Sequence, residues 1–139
     1  NPTYENRFAL YNKQEVILEL KERITEIEQT SMFTLLAMLE AAFRIDYLQR
    51  CYSKKKDPLS KALQNLYGKK KERASLTDEI FEAWRIEHPK CGKMIGELRG
   101  AFKFRNWIAH GRYWTPNFGR RYDYQYVYEL AERALNEIT

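Results

Sequence analysis

The sequence predicts an all-α protein, a compact bundle of about five helices built from a single domain spanning residues 1–139. Apolar residues recur at intervals of three and four along most of the chain, which is the spacing of amphipathic helices. Only 4 Pro and 6 Gly interrupt the 139 residues, and no stretch alternates apolar and polar residues as a half-buried strand does. With 44% hydrophobic residues, a chain of this length can bury a core of its own.

Two helices are expected in the first 52 residues. The first carries one apolar face and ends near the polar segment EQTS at residues 28–31. The second begins near Ser31, and its apolar face is too broad for a surface helix, so it is predicted to be the central element of the bundle. The first face comprises Val16, Ile17, Leu20, Ile24 and Ile27, and the second comprises Leu35, Leu36, Leu39, Ala42, Phe43, Tyr47 and Leu48.

Two shorter helices are expected next. Asp57 is a typical N-cap, and Pro58 suits the first helical position because its missing N–H costs no hydrogen bond there. This third helix is predicted to run to Gly68. Ser75 or Thr77 can cap a fourth helix that carries Ile80, Phe81 and Trp84 and ends at the segment HPK (88–90).

The last two helices are predicted to run from about Cys91 to Gly111 and from Tyr124 onward, with the loop TPNFG (115–119) between them. The final helix packs through Val127, Leu130, Ala131, Ala134 and Ile138. Within the fifth helix, glycines recur every four residues, at Gly92, Gly96 and Gly100. Because a glycine costs about 1 kcal/mol in a helix, this row is predicted to let another helix approach closely.

Charge and cysteine content narrow the function classes. The chain has 24 Lys and Arg against 19 Asp and Glu, a net charge of +5, which favours a polyanionic partner such as RNA. Cys51 and Cys91 have neither zinc-site spacing nor a disulfide pattern, so no metal or other cofactor is expected and a reducing cytoplasmic location fits best. The longest apolar run, MFTLLAML from Met32, is far shorter than the roughly 20 residues of a membrane span, so no membrane partner is expected.

The candidate functional residues lie on the fifth helix, in the segment FKFRNWIAHGRYW (102–114). Asn106 and His110 are four residues apart and therefore share a face, which Arg99 and Lys103 extend. Arg105 falls instead on the neighbouring apolar stripe of Leu98, Phe102 and Ala109. An unpaired guanidinium is costly to bury, so Arg105 requires a partner or a ligand.

These residue types suit metal-independent RNA cleavage. A histidine can take the proton of a ribose 2′-hydroxyl or give one to the leaving 5′-oxygen near neutral pH. An arginine offers paired N–H donors to the phosphate, and Asn106 can hydrogen-bond the imidazole and fix its tautomer. Because Arg105 and His110 are about 140° apart on one helix, a two-fold dimer in which each His faces the other copy's Arg would complete the site.

The segment RNWIAH resembles the R-x4-6-H motif of HEPN domains, in which a polar residue, often Asn, follows the Arg. The resemblance extends to most of the chain, because HEPN domains are helical bundles of about this length with the motif on a late helix. It implies a homodimeric endoribonuclease of toxin-antitoxin or antiphage-defence type, with a cognate antitoxin or regulatory partner, and with Arg105 and His110 catalytic and Asn106 supporting. In one subgroup a modified Tyr lies two residues after the His, whereas Tyr113 lies three after it here.

A basic and aromatic rim is predicted around the motif. Alternating cations and rings can stack on bases and hold the phosphate backbone. The expected RNA-binding residues are Arg99, Lys103, Arg112, Tyr113, Arg120 and Arg121. Trp114 and Phe118, in the same segment, are expected instead to pin the last helix to the bundle.

Other interpretations of the same residues remain open. In a structural one, Arg105 forms a salt bridge with a carboxylate such as Glu40 on the central helix and His110 caps its helix before Gly111. Such a pair would be enclosed, whereas a catalytic pair must open onto a cleft. At the level of function, the alternatives are a non-catalytic adaptor that binds RNA, a nucleotide or a protein, and an inert scaffold whose aromatic-rich C-terminal third forms a dimer interface.

Overall fold

The computed structural model describes residues 11–111 and 119–139, which form five α-helices and contain no β-strand. We number the helices α1 Lys13–Tyr52, α2 Pro58–Lys70, α3 Phe81–Glu87, α4 Gly92–Ala109 and α5 Tyr124–Ile138. Short 3₁₀ turns at Lys71–Arg73 and Pro89–Cys91 and a π-helical turn at Leu76–Ile80 join them. The predicted all-α fold is confirmed. None of the helices within the described ranges combines the length and the apolarity of a membrane span.

The two helices expected before residue 53 are a single helix, α1, of 40 residues. The predicted end near residues 28–31 is wrong because the segment EQTS is polar but contains no Gly or Pro. The Thr34 hydroxyl also donates a hydrogen bond to the Thr30 carbonyl at 3.1 Å. This bond is compatible with a helix, so the threonine side chain does not end the helix here. The helix begins with a capping box, in which Glu15 N–H donates to the Asn12 side chain at 2.8 Å.

The first half of α1 projects from the bundle. The apolar face expected to be buried there is exposed, and no residue of the range 11–31 is fully buried. Periodicity identified the helix correctly, but it gave no information on whether another element covers the face. The second half of α1 is the central element, as predicted, and it buries Met32, Leu36, Leu39, Phe43 and Tyr47.

The core lies where the second half of α1 meets the other four helices. The Phe43 ring on α1 packs edge-on against Phe81 at 5.0 Å and against Trp84 at 5.7 Å between ring centroids. The largest fully buried side chains are Trp84, Tyr47, Phe43, Phe81, Phe102, Leu36, Leu39, Leu59, Leu63, Ile80, Ile95 and Leu98. From α5, the residues Val127, Leu130, Ala131 and Ala134 join this core, as the sequence predicted.

The predicted caps of the short helices are confirmed. The Asp57 carboxylate accepts the Ser60 N–H at 3.1 Å, and Ser75 rather than Thr77 caps the following turn by accepting the Asp78 N–H at 3.2 Å. α2 continues two residues past Gly68, to Lys70. α3 ends at Glu87, directly before the HPK segment.

One of the three glycines in the predicted row makes a close contact. A Cβ on Gly100 would collide with the Tyr122 hydroxyl, whereas nothing lies within 4 Å of a Cβ on Gly92 or Gly96. The Tyr122 ring in turn stacks on Phe104 of α4 at 4.8 Å. Of the three glycines, only Gly100 therefore allows a close approach. It leaves room for Tyr122, in the segment that leads into α5, to pack on α4. Trp114 and Phe118 lie outside the described residues.

Candidate functional site

The fifth predicted helix ends at the candidate histidine. His110 is the C-cap residue of α4, and its N–H donates to the Asn106 carbonyl at 3.0 Å. Gly111 follows with φ +79° and donates its N–H to the Ile108 carbonyl at 3.1 Å. A glycine suits this left-handed position because it has no Cβ. The predicted capping position of His110 is thus confirmed, and its side chain is exposed.

Arg105 forms an ion pair with Glu40, the partner that the structural interpretation named. Its Nη1 donates to Glu40 Oε2 at 3.0 Å, and the side chains are 25% and 30% exposed. The guanidinium also lies over the Phe102 ring, 4.9 Å from its centroid. These contacts explain how an arginine occupies an apolar stripe: its charge is paired with a carboxylate, and its guanidinium lies over an aromatic ring.

Glu40 links Arg105 to a second arginine. Arg44, one turn later on α1, donates its Nε to Glu40 Oε1 at 3.2 Å and its Nη1 to the Ala74 carbonyl at 2.9 Å. Burial raises the pKa of the Glu40 carboxyl, but hydrogen bonds from Arg105 and Arg44 outweigh this effect, so the pKa is lowered overall. The carboxylate is therefore ionised at neutral pH, and it compensates part of the charge of both guanidinium groups.

Asn106 contacts Arg105 instead of the imidazole ring. Its Oδ1 accepts a long hydrogen bond from Arg105 Nη2 at 3.5 Å. Its backbone carbonyl accepts the His110 N–H. In the described residues, Asn106 thus connects the two candidate catalytic residues, but through Arg105 and the backbone and not by fixing the histidine tautomer.

The predicted RNA-binding residues are only partly brought together. Lys103 is exposed on α4, one turn before the Asn106–His110 end. Arg99 instead turns toward α3, where it donates to Glu82 at 2.8 Å and to the Thr77 carbonyl at 3.0 Å. The Arg120 guanidinium lies over the Tyr126 ring, 3.2 Å from its centroid, and Arg121 is exposed. Arg112 and Tyr113 lie outside the described residues.

The site is an open surface and not an enclosed pair. Asn106, His110 and Lys103 are all exposed, and Arg105 keeps part of its surface in solvent. The arrangement offers one imidazole, one partly neutralised guanidinium and an ammonium group along one end of α4. A phosphate could accept hydrogen bonds from the guanidinium and the ammonium group, and the exposed imidazole is accessible to a substrate.

Sequence reasoning missed Arg44 as a member of this cluster. The sequence did indicate an ion pair between Glu40 and Arg44, because the two residues are four apart and lie on one helix face. Nothing in the linear sequence indicates, however, that this face of α1 meets the end of α4 and not another element.

No three His, Cys, Asp or Glu side chains in the described part of the chain are grouped as metal ligands. Neither family models, nor curated proteins, nor solved structures gave a match to this chain. What the site can do must therefore be inferred from its own residues.

Proposed function

We propose that this chain is a HEPN-like domain that acts as a metal-independent endoribonuclease, with Arg105 and His110 as catalytic residues. The observation that carries the proposal is the exposed end of α4, where the Arg105 and Asn106 side chains are hydrogen-bonded to each other and the C-cap His110 exposes its side chain to solvent. The motif resemblance and the net charge of +5 support RNA as the substrate.

The chemistry requires only groups that this chain provides. His110 takes the proton from a ribose 2′-hydroxyl, and the 2′-oxygen attacks the adjacent phosphorus. The bond from phosphorus to the 5′-oxygen breaks, and a protonated imidazole donates a proton to that oxygen. The products are a 2′,3′-cyclic phosphate and a 5′-hydroxyl. Arg105 stabilises the charge that builds on the phosphate oxygens, while Asn106 positions its guanidinium.

A homodimer would complete this site. On a single α4 helix, Arg105 and His110 are about 140° apart, and Arg105 is drawn toward α1 by Glu40. Two copies that meet through the ends of α4 would place the histidine of each beside the arginine of the other. Such an enzyme acts in the cytoplasm, in toxin-antitoxin or antiphage defence, with a cognate antitoxin or regulatory partner that restrains it.

A second function is favoured by the Arg105–Glu40 ion pair. Because Glu40 compensates part of the Arg105 charge, less of that charge is left to stabilise a phosphate that is being cleaved, which favours a module that binds without catalysis. In this alternative the domain is a non-catalytic module or adaptor that binds RNA, a nucleotide or a protein partner, and His110 contributes only the helix cap.

The test is cleavage of a mixed RNA in excess EDTA by the purified protein, by His110→Ala and by His88→Ala. His88 is the chain's other histidine and packs on Trp84 at 5.5 Å between ring centroids, away from the candidate site. We expect cyclic phosphate ends with the parent and with His88→Ala, and at least about a hundredfold slower cleavage with His110→Ala.

Two results would reject the nuclease. One is cleavage that His110→Ala leaves unchanged. The other is the absence of cleavage by the parent together with equal RNA binding by the parent and by His110→Ala in low salt. In the second case, the affinity should be measured against salt concentration, because phosphate contacts give a linear fall of log K with log salt. That result would assign the chain to the binding module.

A further inference from the structure

Exposed apolar side chains recur at a seven-residue spacing along α1. Counting Ile17 as position a of a heptad places Leu20 at position d. The exposed large residues at positions a and d are Ile17, Leu20, Ile24, Ile27, Met38, Ile45 and Tyr52, which are 42–66% exposed. The remaining a and d positions are Ser31, Thr34, Ala41 and Leu48, of which Leu48 is partly buried against the bundle core. We call this set the α1 stripe.

The stripe lies opposite the bundle core. Met38 follows the buried Leu36 by two residues, and Ile45 follows the buried Phe43 by two residues. Two residues correspond to about 200° around a helix, so the two apolar faces of α1 point in nearly opposite directions. The exposed side chains of the stripe therefore lie on the side of α1 opposite its buried residues.

Little of the first half of α1 is buried by the described part of the chain. No residue in the range 11–31 is fully buried, and a helical segment with little tertiary packing is only marginally stable in water. An apolar stripe that runs for about 50 Å from Ile17 to Tyr52 is also far longer than the scattered apolar residues of an ordinary monomer surface. Both features indicate a partner helix.

We propose that the α1 stripe binds the α1 stripe of a second copy of this chain, as a parallel, in-register, two-stranded coiled coil. Ile17 and Ile24 at position a with Leu20 at position d is a combination that favours two strands, whereas Ile27 at the next d position favours a higher number, so sedimentation must give the number of strands. The seven-residue spacing over five heptads also predicts the left-handed winding that keeps the two stripes in contact.

Charge complementarity decides the orientation. In a parallel pair, a residue at position g faces the e position five residues later on the partner, so Arg23, which pairs with Glu19 of its own helix, also meets Glu28 of the second copy, twice by symmetry. In an antiparallel pair that covers the whole stripe, Arg23 would instead be opposite Arg44, whose guanidinium is held by Glu40 and the Ala74 carbonyl. The parallel arrangement therefore gains two attractive contacts that the antiparallel one lacks.

This dimer is separate from the contact that the proposed nuclease site requires. Glu40, which holds Arg105, follows Met38 by two residues and therefore lies on the side of α1 away from the stripe. A pair joined through the stripe keeps the two α4 ends apart. The inference thus does not depend on the proposed function, and each is tested without the other.

The test is sedimentation of the purified protein over a wide range of concentration, with helix content monitored by circular dichroism. We expect a dimer for the parent and a dimer dissociation constant at least about tenfold higher for Ile24→Glu. Ile86→Glu is the matched control, because Ile86 is an equally exposed isoleucine on α3, and it should dimerise as the parent does.

A charge exchange tests the orientation. Arg23→Glu should weaken the parallel dimer by roughly threefold, and the double variant Arg23→Glu/Glu28→Arg should restore it. Tighter association of Arg23→Glu would show an antiparallel pair and overturn the proposed orientation. A parent that remains monomeric, or a dimer that Ile24→Glu leaves intact, would overturn the α1 dimer itself.

Discussion

Arg105 Nη1 on α4 and Glu40 Oε2 on α1 lie 3.0 Å apart, although the two residues are separated by 65 positions in the sequence. This ion pair ties the end of α4, with its exposed Asn106 and His110, to the central helix. It also compensates part of the Arg105 charge.

Glu40→Gln should release that charge. Without the carboxylate, the Arg105 guanidinium becomes available to an RNA phosphate, and we expect about tenfold tighter RNA binding in low salt, the equivalent of one charged hydrogen bond of about 1.5 kcal/mol. The stability loss should be no more than about 1 kcal/mol, because the pair is partly exposed. Both quantities can be measured by RNA titration and urea unfolding.

Glu97→Gln controls for the change in net charge. Glu97 pairs with Arg133 at 2.6 Å and makes no described contact with Arg105. Equal gains in RNA affinity for the two variants would show that the gain is a general charge effect and that Arg105 does not contact the phosphate.

Alanine at two glycines of α4 should have opposite effects. Gly96→Ala meets nothing within 4 Å and should stabilise the protein by up to about 1 kcal/mol through helix propensity. Gly100→Ala collides with the Tyr122 hydroxyl and should cost about 1–3 kcal/mol. In a Tyr122→Phe background, the cost at Gly100 should fall. Urea unfolding of the four variants checks this, and equal stabilisation at both glycines would contradict the packing contact.

The Glu82 carboxylate should make folding stability depend on pH in the acid range. Hydrogen bonds from Arg85 and then from Arg99 lower its pKa from the ordinary value of 4.5 to about 2. Because the folded-state pKa is below that of the unfolded chain, the stabilisation is complete above pH 4.5 and is lost as the pH falls toward 2.

The stability difference between the parent and Glu82→Gln should therefore be largest near neutral pH and should shrink as the pH falls from 4.5 toward 2. Urea unfolding at several pH values measures it. A difference that stays constant across this range would show that the carboxylate charge does not stabilise the fold.

Phe43→Ala should be among the most destabilising single substitutions in the core. Its ring is fully buried and joins α1 to Phe81 and Trp84 by edge-on contacts. We expect a loss of about 3–5 kcal/mol in the free energy of unfolding. Ile86→Ala, at an exposed position, is the comparison and should cost less than about 1 kcal/mol.

The parts of the fold that the sequence predicts well are those with local chemical signals. Asp57 and Pro58 mark the start of α2, and the four-residue spacing of apolar residues marks α5. The end of α4 is also local, because the glycine after His110 suits the left-handed position that stops a helix.

The wrong predictions are those that depend on which other parts of the chain a residue meets in the fold. A polar segment at residues 28–31 resembles a helix end, yet without Gly or Pro nothing in it breaks the backbone pattern. The row of Gly92, Gly96 and Gly100 is regular in sequence, but only Gly100 meets another element. Arg99 shares a helix face with Lys103, and it leaves that face because Glu82 lies within reach.

The unbroken course of α1 has a mechanical consequence. Its 40 residues contain neither Gly nor Pro, so the helix runs for about 60 Å without the usual causes of a kink. The largely exposed first half is therefore continuous with the half that carries Glu40 and, through it, Arg105. A partner that orders the first half would thereby also stiffen the helix that holds the guanidinium at the candidate site.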